Sequence, residues 1–150
     1  MRYQEFGWSC GPSALVNAAR TLGKRVSEKR ARSLSSCTEE AGADEVGLIA
    51  AARSLGLTAT SHHSAEGSAA WAFVRANVLD GHPCLICVDS WGHWVTVVGI
   101  VGDRVILVDP ANTKKNMGEN GVHSLSRTDL YKRWRCPREL EPFYAIAIGK

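Results

Sequence analysis

The sequence has no apolar run near the ~18 residues that a bilayer-spanning helix needs, so no membrane insertion is expected. Its opening, Met1 to Trp8, lacks the apolar centre of a secretory signal. Charge of one sign is scarce. Lys and Arg number 18 against 15 Asp and Glu, a net +3. That balance argues against nucleic acid as a partner. The one basic cluster, Lys24, Arg25, Lys29, Arg30 and Arg32, has no interleaved aromatics and reads as a solvated helix face. Metal-ligand spacing is missing too. Cys84 and Cys87 form a lone C-x-x-C without a second ligand pair. They lie in PCLICVD, which reads as a buried strand whose positions i and i+3 face opposite sides. The adjacent His62 and His63 have no acidic or Cys neighbours in sequence and read as surface residues. No metal and no cofactor is expected. Neither a repeat nor a linker divides the chain. A single domain over 1–150 is expected, with a helical half over 1–81 and a sheet half over 82–150. Five cysteines are an odd number, so at least one thiol is unpaired. With no secretory signal, that points to a reducing, cytoplasmic setting.

What is present begins with Gln4 to Leu15, QEFGWSCGPSAL. Gly11-Pro12 suits a helix opening, since proline's missing N–H costs nothing in the first turn. Leu15, Ala18, Ala19 and Leu22 then recur at helical spacing, and Gly23 stops the run. Cys10 therefore falls at a helix N-terminus, where the dipole and free N–H groups favour a thiolate. Ser27 opens a short basic helix with Ala31 and Leu34 inward, and 35–42 reads as a loop. Asp44 caps a third helix carrying Leu48, Ile49, Ala52 and Leu55, which Gly56 ends. A short strand is expected over 57–61, and Ser68 is expected to cap a fourth helix bearing Trp71, Val74 and Val78. The second half changes to strand period: 84–88, 93–100, 104–109 and 143–148, with turns at Ser90-Trp91-Gly92 and Gly102-Asp103. Residues 111–123 read as a surface loop, and Ser126 begins the helix RTDLYKRW. Helices first and a mostly antiparallel sheet afterwards is an α+β layout.

A thiol that attacks a carbonyl needs a base, a group that orients the base, and donors for the oxyanion. Cys10 supplies the sulfur. His93 begins a strand directly after a glycine turn, and Asp109 ends the next strand. Gln4, six residues before Cys10, offers a side-chain amide beside the Cys10 N–H. Register decides whether His93 and Asp109 meet. A regular two-residue turn at Gly102-Asp103 puts them on opposite faces. An odd-length loop or a bulge puts them on the same face, and Gly99 and Gly102 permit either. The odd loop or bulge is the expectation.

The set Gln4-x5-Cys10-Gly11-Pro12, His93-Trp94-Val95 and Asp109-Pro110-Ala111 resembles the papain-like peptidases that remove double-glycine leader peptides from bacteriocin precursors. The likeness runs along essentially the whole chain. It implies a papain-like fold and a catalytic Cys10, His93 and Asp109 with Gln4 in the oxyanion hole. It also implies cleavage after Gly-Gly in a peptide substrate. Such domains usually precede an ABC exporter, so an exporter acting in trans is a possible partner. The chain differs in having Ser9 before the nucleophile, where an acidic residue is common. Trp8, Trp91 and Trp94 flank the catalytic elements and are expected to narrow the cleft around glycine, with a place in the core as the alternative. Two other functions share these residues: a transferase whose thioester is taken by an amine or thiol, and a module that binds leader peptides without cutting them.

Overall fold

The computed structural model describes residues 1–150. Helices α1 (Cys10–Thr21), α2 (Glu28–Leu34) and α3 (Glu45–Ser54) come first, followed by β1 (Thr58–Ser64) and α4 (Gly67–Leu79). Then come β2 (Cys84–Val88), β3 (His93–Val101), β4 (Arg104–Val108), α5 (Lys114–Gly118), β5 (Val122–Ser126), α6 (Arg127–Trp134) and β6 (Phe143–Gly149). The six strands form one sheet in the order β1-β6-β2-β3-β4-β5, with every pairing antiparallel.

Local chemistry explains most element ends. Ser27 Oγ accepts from Arg30 N–H at 3.1 Å, Asp44 Oδ1 from Gly47 N–H at 2.8 Å, and Ser126 Oγ from Asp129 N–H at 3.2 Å. Gly47 is needed for space, because a Cβ there would stand 2.2 Å from the Ser35 carbonyl oxygen. The fourth helix departs from expectation. It starts at Gly67 with Glu66 as its cap residue, so Ser68 lies inside the first turn.

The sheet is covered on both faces. Leu15, Ala18, Leu48 and Ala52 of α1 and α3 pack with Leu85, Cys87, Trp94 and Ile146 on one side. Trp71, Val74, Leu130 and Trp134 of α4 and α6 pack with Cys84, Ile86, Val95 and Ala145 on the other. The helices of the first half are thus split between two layers, and β1, from that same half, forms an edge of the sheet. Cys84 and Cys87 fall in opposite cores, as strand alternation requires. Burial pushes both thiols up to about 12. All five cysteines are free.

Two stretches differ from the sequence expectation. The strand before α4 runs on through His62 and His63, which stack on Phe73 at 4.6 Å and Tyr144 at 4.2 Å. His63 also lies 3.2 Å from the Glu45 carboxylate. The segment 111–123 is no plain loop, because it holds α5 and the start of β5, the strand that pairs with β4. No helix is long and apolar enough to cross a membrane.

Candidate active site

Cys10 is the first residue of α1 and His93 the first of β3, while Asp109 directly follows β4. The β3–β4 hairpin turns at Gly102-Asp103, pairing Val101 with Arg104 and Gly99 with Ile106. Val97 then pairs with Leu107, so Val98 is an extra residue on β3, a bulge. The odd-length loop is absent and the bulge does its work. Continued past Thr96↔Val108, this register sets Val95 beside Asp109 and leaves His93 on the Asp109 face.

The result is a direct contact: His93 Nε2 lies 2.6 Å from Asp109 Oδ1. The other ring nitrogen is left for the Cys10 thiol, whose hydrogen bond with His93 acts on both groups. Burial opposes ionisation of the thiol. The His93 hydrogen bond and charge, with the backbone N–H groups of Trp94 and Gly11, outweigh it and hold Cys10 below its ordinary value. Burial also opposes the imidazolium, but hydrogen bonds and charge from Asp109 and Cys10 raise His93 to about 9. Asp109 is itself buried, yet hydrogen bonds from His93, the Ala111 N–H and Arg133 hold it well below the carboxylate range. The arrangement favours a thiolate–imidazolium pair.

Gln4 is buried, and its N–H donates to the Pro110 carbonyl at 2.8 Å, directly beside Asp109. Its side-chain amide donates one hydrogen to the Phe6 carbonyl at 2.7 Å, leaving a second hydrogen on Nε2. The amide oxygen is buried without a partner. Gln4 and His93 line one cleft.

The tryptophans divide. Trp94 is a core residue, 6% exposed, with its indole N–H on the Ala43 carbonyl at 3.2 Å. It forms no open cleft wall, because it points from β3 into the layer under α1. Trp8 is half-buried and stacks on Phe6, with ring centroids 4.8 Å apart. Trp91 is half-buried at the edge of the core that Cys10 also adjoins, its indole N–H on the Pro142 carbonyl.

Three supporting residues escaped the sequence reading. Arg133 of α6 donates to Asp109 Oδ2 at 3.0 Å and forks onto Asp89 at 3.0 and 3.2 Å. Asn116 of α5 donates to the carbonyls of Asp109 and Ala111, and accepts from His123. Glu28, fully buried, accepts from the Glu5 N–H at 3.0 Å, Ser9 Oγ at 3.2 Å and Arg32 at 2.5 Å. A carboxylate beside the residue that precedes Cys10 is thus supplied by α2, although residue 9 is serine. A buried Glu and a helix Arg carry no sequence signal apart from their partners, since i,i+4 charge pairs are common on solvated faces.

The peptidase C39 family matches residues 1–134. An uncharacterized protein of Methanothermobacter marburgensis is 33% identical over 111 residues, 72% of this chain and 69% of that one. Among solved structures, the peptidase domain of Streptococcus ComA, a bi-functional ABC transporter of a quorum-sensing pathway, superposes with TM-score 0.75. It is 21% identical and the match covers 99% of this chain and 96% of that one. A double-glycine-motif protease from an AMS/PCAT transporter, in complex with its leader peptide, gives TM-score 0.71 at 18% identity over 98% and 88% of the two chains. These structures carry the fold, a mixed helix and antiparallel-sheet domain of the papain-like class. By the match over residues 1–134, the chain belongs to the peptidase C39 family, cysteine peptidases of papain-like fold.

Proposed function

We propose that the protein is a cysteine endopeptidase that cleaves leader peptides after Gly-Gly, with Cys10, His93 and Asp109 as its triad. The observation that carries this reading is the imidazole of His93. It is bound on one side to a buried carboxylate at 2.6 Å and on the other to a thiol at a helix N-terminus. The Cys10 thiolate attacks the scissile carbonyl, and the oxyanion is held by the Cys10 N–H and the free amide hydrogen of Gln4. His93 gives its proton to the leaving amine, and a thioester on Cys10 remains. His93 then takes a proton from water, which hydrolyses the thioester and restores the thiolate–imidazolium pair. Asp109 orients the ring throughout. Selection of glycine is supported by the leader-bound protease among the structural neighbours. The transporter setting of those neighbours extends the proposal to an exporter as partner in trans.

Incubation with a panel of Gly-Gly leader peptides, read by mass spectrometry, tests this. The parent protein should release fragments ending in Gly-Gly. Cys10→Ala should release none, and Cys84→Ala should match the parent. Undiminished cleavage by Cys10→Ala would overturn the assignment.

A further inference from the structure

The segment between Gln4 and Cys10 belongs to no helix or strand. It carries the two proposed oxyanion donors at its ends, so its shape sets their spacing. Its own hydrogen bonds converge on Phe6. The Phe6 carbonyl accepts from the Ser9 N–H at 3.1 Å and from Gln4 Nε2 at 2.7 Å. The Phe6 N–H donates to Ser9 Oγ at 3.1 Å. The bond to Phe6 is the only tether on the Gln4 amide, because Oε1 is buried without a partner. The two hydrogens of an amide nitrogen lie in one plane. Fixing one at the Phe6 carbonyl therefore fixes the direction of the other.

One side chain outside the segment grips it at two points. Glu28, the first residue of α2, is fully buried. Its two carboxylate oxygens accept from the Glu5 N–H at 3.0 and 3.2 Å, and Oε2 lies 3.2 Å from Ser9 Oγ. Glu5 follows Gln4, and Ser9 precedes Cys10. Arg32, one turn along α2, donates to Oε2 at 2.5 Å and covers the Phe6 ring at 4.8 Å. A carboxylate can accept from all three partners. A glutamine amide in either orientation would turn its own N–H against the Glu5 N–H or the Arg32 guanidinium.

We infer that Glu28 is a positioning residue for the oxyanion hole. It acts through Glu5 and Ser9 on the Phe6 carbonyl, and through that carbonyl on the Gln4 amide. The inference rests on the endopeptidase reading above. Glu28 bonds to none of the triad, so its loss is felt where an oxyanion forms and not where the thiolate reacts without one.

The test compares two reactions of the same sulfur. Cleavage of a Gly-Gly peptide passes through an oxyanion. Alkylation by iodoacetamide does not, since the Cys10 sulfur bonds to a saturated carbon as iodide leaves. Glu28→Gln should lower kcat and kcat/KM for cleavage together, by about 10- to 100-fold, the scale of a misplaced donor. Alkylation of Cys10 at neutral pH, read by peptide mass spectrometry, should stay within about twofold of the parent, because the thiolate is kept. Ser9→Ala deletes a single oxygen, so it keeps the test alive if Glu28→Gln does not fold. It should also slow cleavage and spare alkylation. In a Gln4→Ala background the Glu28 change should cost nothing further, since the group it acts on is gone. Equal falls in cleavage and alkylation, losses that multiply in the double variant, or parental cleavage by both single variants would overturn the positioning role and leave the peptidase reading intact. Failure of the parent to cut any Gly-Gly peptide would remove both.

Discussion

At the scale of single residues the site depends on one proton shared unequally. In the proposed mechanism the active form needs Cys10 without its proton and His93 with one. A rate profile in kcat/KM should therefore be bell-shaped, its acid limb set by Cys10 below the ordinary thiol value and its alkaline limb by His93 at about 9. Asp109→Asn removes the carboxylate that raises His93. The alkaline limb then moves to lower pH. The acid limb moves up, because a less charged ring stabilises the thiolate less. The bell narrows from both sides, and its height falls, by up to about 10⁴-fold if the ring also loses its tautomer. Measuring the two limbs in parent and variant checks this, and an unmoved alkaline limb would separate Asp109 from His93 function. These residues were legible in the sequence because each stands at an element boundary with a turn or helix start beside it. Arg133, Asn116 and Glu28 were not. Their work is defined by groups 24, 7 and 23 residues away in the chain, which the hydrogen bonds reveal and spacing does not.

At the scale of elements, His93 is launched by a turn with unusual backbone. Asp89, Ser90 and Trp91 all have positive φ, at 55°, 57° and 64°. Three consecutive non-glycine residues in the left-handed region are costly and persist only where other bonds over-determine them. Arg133 supplies those bonds. Its guanidinium forks onto the Asp89 carboxylate, and its carbonyl accepts the Asp89 N–H at 2.9 Å. A β-branched residue tolerates this backbone poorly. Ser90→Val should lower stability by about 1–2 kcal/mol although Ser90 is exposed, whereas Ser90→Gly should not. Thermal unfolding of the three proteins decides it, and a Val variant as stable as the parent would mean the turn carries no strain. The position of this turn was readable from Ser90-Trp91-Gly92, but its handedness was not, because only glycine advertises positive φ. The bulge was readable as one of two ways to repair a parity conflict; which residue bulged depended on the ladder itself. The stretch 111–123 was misread because its polar, Gly- and Asn-rich composition resembles a loop. Its order comes from partners elsewhere: Asn116 fastens the backbone about Pro110, and β5 pairs with β4. That is tertiary context overriding local propensity.

At the scale of the whole molecule, the same charges couple catalysis to folding. His93 has a folded value raised to about 9 against 6.5 unfolded. Its contribution to stability is complete below pH 6.5 and is lost as pH rises through the folded value. Cys10 has the opposite sign. Its folded value is lowered from 9.0, so its contribution is present above pH 9 and is lost as pH falls through the lower folded value. Above both 6.5 and the lowered Cys10 value, and below about 9, the folded protein holds one proton on His93 and none on Cys10. The unfolded chain holds one on Cys10 and none on His93. The proton counts match, so the pair itself leaves the parent's stability nearly flat with pH in this window. Cys10→Ala breaks the match. Only the His93 contribution remains, kept alive by Asp109, and folding stability should decline as pH rises from 6.5 toward 9. The readout is the difference in denaturant midpoint between Cys10→Ala and the parent, which cancels the contributions of all other titrating groups. It should shift against the variant across that range, and the added Asp109→Asn change should reduce the shift. A difference that stays constant with pH would mean that sulfur and imidazole do not share a proton in the folded protein, and the triad would lose its electrostatic basis.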